Sequence, residues 1–157
     1  MIPWIQKAKL VGVMKMTKDN LILEAEYADI ILTLLHPPYM ISSLAKLIFI
    51  AFCVKWENNT STYNNRSKDF VDVFFKNISL KLLAHYEDIC IMLHFIDMLK
   101  TTGIATMSGD DIVLVVEMPH HPENKFLQFC ESKYPNPIIE VNKLDVKAML
   151  EEVIRYV

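Results

Sequence analysis

Two H-x-x-D units, His85 with Asp88 and His94 with Asp97, are the chain's nearest approach to a metal-ligand pattern. Each pair stands at i, i+3, so on a helix it shares one face. The units lie nine residues apart, and at about 100° per residue that spacing carries one of them to the opposite side of a continuous helix. They converge on one ion only if the helix breaks between them, so the expected roles are helix-capping acids and half-buried histidines. His120 and His121 with Glu117 and Glu123 form another polar cluster, but Pro119 and Pro122 bound it and make it read as an exposed loop.

Nucleophile and phosphate chemistry are equally poorly provided for. Cys53, Cys90 and Cys130 are far apart with no C-x-x-C pair, which points to reduced thiols rather than a disulfide framework or zinc knuckle. Gly12, Gly103 and Gly109 belong to no phosphate-binding loop, and G-x-S-x-G and H-E-x-x-H are missing. No catalytic residue, no cofactor and no metal site is expected.

Sixteen Lys and Arg against nineteen Asp and Glu give a net charge of −3, which removes the long-range attraction that nucleic-acid binders use. Arg66, Lys68, Lys76 and Lys81 make a local basic stretch that reads as a solvated turn and helix edge. Lys7, Lys9, Lys15 and Lys18 interrupt the start of the chain, so no secretory leader is read there. The longest apolar run, Leu47 to Val54, is far short of the ~20 residues a membrane span needs. A cytoplasmic protein is expected.

The elements that must position these residues are mostly helical. A helix from about Leu21 to Leu35 follows Asp19 and Asn20 and stops at His36-Pro37-Pro38. Ser42 and Ser43 can cap a second helix to about Trp56. Both are apolar nearly all round. The polar segment from Glu57 to Lys68 reads as a surface loop, and a short helix from Asp69 to Lys76 follows. The pattern from Ser79 to Lys100 is one long helix, with a possible break near Glu87-Asp88, closed by Thr101-Thr102-Gly103. Ile104 to Met107 and Ile112 to Met118 then read as a hairpin joined by Ser108-Gly109-Asp110-Asp111. A helix from Glu123 to Lys133, the Pro135-Asn136-Pro137 break and a last helix capped by Asn142 complete the chain.

At 157 residues this predicts a mainly α (α+β) fold in one domain: a helical half over 19–56, a winged-helix-like helix plus β-hairpin half over 67–118, and a helical extension over 119–157. Ile89, Met92, Leu93, Ile96 and Leu99 form the stripe an internal core requires, and Ile91, Phe95 and Met98 form a second apolar row. That leaves Cys90, His94 and Asp97 for water. A small domain has little interior for helices apolar nearly all round, so Ile91, Phe95 and Met98 are the candidate partner-binding residues, with Phe95 as anchor.

The phrases Asn64-Asn65-Arg66-Ser67, Lys76 to Asp88 and Leu99 to Ile104 carry a resemblance. Over roughly residues 20 to 118 the chain resembles the small middle component of three-component ABC-ATPase systems, the Lamassu-type bacterial defence operons. The resemblance rests on order and phrase rather than on a diagnostic motif, and Met1 to Thr17 and everything after Pro119 lie outside it. It implies a non-catalytic accessory subunit that binds an SMC-like ABC ATPase and works beside a separate effector, often a nuclease. ATP and the effector's metal then belong to the partners, and DNA is met only through the complex. The alternatives are a winged-helix transcription regulator and a small phage or plasmid inhibitor of a host enzyme. Asp88 to Lys100 offers only Lys100 and His94 where a DNA reader presents Arg, Lys, Asn or Gln, which counts against the regulator.

Overall fold

The computed structural model describes residues 18–57, 78–119, 124–132 and 136–155. Helix α1, Lys18–Leu35, carries Asp19 in its first turn, where a carboxylate suits the positive end of the helix dipole. It ends where His36-Pro37-Pro38 was expected to end it. Tyr27 and every residue from Ile30 to Leu35 are buried, so its C-terminal half is enclosed on all sides. Helix α2, Leu44–Glu57, starts after Ser43, whose Oγ accepts from the Lys46 N–H at 3.4 Å. It buries Leu47, Ile50 and the run Ala51 to Val54.

The long pattern after residue 78 is divided. Helix α3, Ile78–Ala84, and helix α4, Tyr86–Thr101, meet at His85. Helix α4 closes in a Schellman motif: the Ile104 N–H donates to the Leu99 carbonyl at 3.0 Å and the Gly103 N–H to the Lys100 carbonyl at 3.1 Å. Gly103 takes the left-handed conformation this closure needs, with φ of 77°.

The chain then forms strands β1, Ala105–Ser108, and β2, Asp111–Leu114, paired antiparallel with Ser108 opposite Asp111. The connecting loop is two residues, Gly109 and Asp110, rather than the expected four, because Ser108 and Asp111 are themselves in the ladder. Gly109 has φ of 60°, which suits the first central position of a II′ hairpin turn. Ser43 forms an isolated bridge to Asp111, so the residue before α2 lies along the free side of β2.

Helix α5, Lys125–Glu131, is capped by Asn124, whose Oδ1 accepts from the Phe126 N–H at 2.9 Å. Helix α6, Pro137–Asn142, is capped by Asn136, with Pro137 in the first turn where its missing N–H costs nothing. Helix α7, Val146–Arg155, is capped by Asp145, which accepts from the Ala148 N–H at 2.7 Å. The expected cap, Asn142, is instead the last residue of α6. Its carbonyl accepts from Lys46 Nζ at 3.1 Å.

One apolar cluster runs from Tyr27 and Ile31 of α1 through Phe52 of α2, Met92 and Leu99 of α4 and Ile112 of β2 to Leu127, Val141 and Met149. The fold is mainly helical with a small antiparallel hairpin. Among the described residues no helix is long and apolar enough to cross a membrane. The expected helix from Asp69 to Lys76, the basic residues Arg66, Lys68 and Lys76, the pair His120 and His121 with Glu123, and the lysines before Lys18 lie outside the described residues.

Candidate functional site

Asp88 stands at the third position of α4 and is buried. A carboxylate there gains from the helix dipole, but out of water it also needs hydrogen-bond donors. Two arrive from other helices. The Tyr27 hydroxyl of α1 donates to Asp88 Oδ2 at 2.5 Å. The Trp56 indole of α2 donates to the same oxygen at 3.1 Å. The His85 ring stacks on Trp56, with centroids 3.9 Å apart and planes inclined by 24°. Burial above all, and then the negative charge of Asp88, push the Tyr27 phenol far above the usual tyrosine range. Tyr27 therefore stays protonated and acts as a donor.

The second H-x-x-D unit is occupied in the same way. His94 Nδ1 meets Glu24 Oε1 at 3.0 Å across the α1–α4 contact. The helix does break, but at His85, ahead of Asp88, so Asp88 and His94 share α4 and stay apart. Among the described residues no group of three or more His, Cys, Asp and Glu is placed to hold a metal ion. Sequence reasoning found Asp88 but missed Tyr27, Trp56 and Glu24. The available signal was a tyrosine and a glutamate on an otherwise apolar helix face, each of which needs a polar partner once enclosed.

Other polar side chains tie the C-terminal helices down. Lys55 pairs with Glu26 at 2.5 Å and lies 4.2 Å over the Phe126 ring. The Tyr39 hydroxyl donates to Glu131 Oε1 at 2.8 Å and accepts from Asn136 Nδ2 at 3.1 Å. Burial and the bond to Glu131 raise the Tyr39 phenol. Cys53, Cys90 and Cys130 are all buried, and none is in a disulfide. Burial pushes the Cys90 thiol up, away from thiolate character.

The expected partner row divides. Ile91 is 8% exposed and Phe95 6%, both inside the chain's own core, whereas Met98 is 46% exposed. Cys90, expected to face water, is also buried, and His94 and Asp97 are half-buried. The reason is the place of α4, which packs on α1, α2 and β1 at once, so a wide arc of it is covered. Phe95 is thus a core residue, and the outward row shrinks to Met98.

What stays open is one end of the α1–α4 pair. The Glu24–His94 and Tyr27–Asp88 bonds show that the two helices run antiparallel. Leu21 lies one turn before Glu24 and Met98 one turn beyond His94, so the same end of the seam carries both exposed side chains. Val115 and Val116, also exposed, reach that end because their N–H groups donate to the Ile104 carbonyl just past the close of α4. This apolar end can make contact.

Comparison of the chain with protein-family models, with curated proteins and with solved structures finds no match in any of the three.

Proposed function

We propose that the chain is a non-catalytic accessory subunit that binds an SMC-like ABC ATPase, beside a separate effector such as a nuclease, in a bacterial cytoplasmic antiphage or anti-plasmid complex. The resemblance over residues 20 to 118 names the partners. The observation that carries a binding role is the exposed apolar end formed by Leu21, Met98, Val115 and Val116. One turn inward along the seam, Glu24 and His94 pair with each other. ATP belongs to the partner.

The test is co-expression with an SMC-like ABC ATPase and an effector of the proposed kind of complex. The tagged chain should retain the ATPase through affinity and size-exclusion steps, and Leu21→Asp with Met98→Asp should release it while circular dichroism stays unchanged. A wild-type chain that does not hold the ATPase sinks the subunit reading. A folded double variant that still holds it sinks this surface.

A second reading, a winged-helix DNA-binding regulator, draws on the Ser43 bridge and on the hairpin that follows directly on α4, although three helices, α2, α3 and α4, lie between the two. The hairpin opposes duplex binding, because its tip carries Asp110 and Asp111 and Glu117 follows. We expect no nanomolar, sequence-dependent gel shift by the isolated chain at physiological salt; such a shift would replace the first reading with this one.

A further inference from the structure

Residues 78 to 101 contain neither proline nor glycine, yet the chain turns at His85 and splits them into α3 and α4. Sharp helix kinks ordinarily trace to those residues, to a π-bulge or to an inserted group. Here the backbone of His85 sits at φ −125° and ψ 40° and its side chain makes no capping bond. The Asp88 N–H reaches the His85 carbonyl, three residues back, at 3.0 Å. In a continuous helix the N–H groups of Tyr86, Glu87 and Asp88 would meet the carbonyls of Leu82, Leu83 and Ala84. Local backbone bonding thus favours a straight helix.

Side chains from elsewhere hold the bend. The His85 ring lies on Trp56 at 3.9 Å, and Trp56 and Tyr27 draw Asp88 inward. In helix α3 Leu83 is 81% exposed and Ala84 is exposed, Leu82 is the partly buried residue that packs on the core, and the helix meets α7. We propose that the α3–α4 junction is a two-state latch, bent while His85 stacks on Trp56 and straight, as a single helix from 78 to 101, when that stack opens. The bent form covers one face of Trp56; the straight form uncovers it and swings α3 away from α7. Local bonding and tertiary contact oppose each other at one residue, which is what a bistable element requires. The inference is independent of the identity of any partner.

Spin labels at Leu83→Cys and Lys100→Cys in the full chain test it, since Cys53, Cys90 and Cys130 are buried. A continuous helix places these two Cα atoms about 26 Å apart. The labelled parent should show a shorter distance, His85→Ala should move the main population to the straight-helix value, and His85→Phe, which can still stack on Trp56, should stay short. Amides 86 to 88 of His85→Ala should exchange at least tenfold more slowly than in the parent. A parent already at the straight distance, an alanine variant that stays bent, or a phenylalanine variant that straightens equally would each overturn the latch. So would unfolding of His85→Ala, because the latch requires a chain that is stable without the stack.

Discussion

The Tyr27–Asp88–Trp56 junction makes the sharpest energetic prediction. Tyr27→Phe removes one hydrogen bond to a buried carboxylate, worth about 1.5–3 kcal/mol, and leaves Asp88 with Trp56 as donor. Asp88→Ala strands the fully buried Tyr27 hydroxyl and the half-buried Trp56 indole, at about 1–3 kcal/mol for each buried donor. Relief from burying a carboxylate offsets part of that cost, for a net loss of about 2–4 kcal/mol. The Tyr27–Asp88 bond is lost in each single variant but only once in the double variant, so a double-mutant cycle should return a coupling of about 1.5–3 kcal/mol. In a 157-residue chain this corresponds to a Tm decrease of about 3–12 °C for Tyr27→Phe alone. Urea unfolding followed by circular dichroism, with equal slopes for all four proteins, measures the cycle. A coupling below about 0.5 kcal/mol, or a Tyr27→Phe chain as stable as the parent, would refute the junction as an energetic link between α1, α2 and α4.

Alkaline pH should destabilise the chain, because Tyr27 and Tyr39 have folded-state pKa values raised above the unfolded one. Their contribution is complete below pH ~10 and fades as pH rises beyond it, by at most about 1.4 kcal/mol per pH unit per group. Tyr27→Phe should flatten the fall in urea midpoint between about pH 9 and 11.5, and a flat parent profile would contradict the burial of both phenols. Phe95→Asp should abolish cooperative unfolding, since it places a charge at a core position 6% exposed, whereas Met98→Asp should change stability by no more than about 0.5 kcal/mol. Equal behaviour of the two variants in thermal melts would mean α4 is turned differently from the orientation described. Gly103→Ala should cost about 1–2 kcal/mol from conformation alone, because φ is 77° and an added Cβ meets nothing within 4 Å. A variant melting at the parental temperature would exclude the left-handed closure of α4.

The amino-acid pattern by itself determined where elements stop. Pro37-Pro38 ends α1, Gly103 closes α4 and Gly109 turns the hairpin, because proline and glycine act through the backbone of their own few residues. It also showed that α1, α2 and α4 carry more apolar surface than one face can hold. Where two local signals competed it chose badly: Asn142 and Asp145 are both capping types three residues apart, and only the placement of α6 selects Asp145. The tertiary structure alone decided which arc of α4 is covered, enclosing Ile91 and Phe95 and leaving Met98 open. It alone joined Tyr27 to Asp88 across 61 residues and Trp56 to Asp88 across 32. Periodicity records that a face is apolar or that a side chain needs a donor, but which neighbour answers it depends on how the helices are stacked, and that is set by the summed packing of the whole core rather than by any local run of residues.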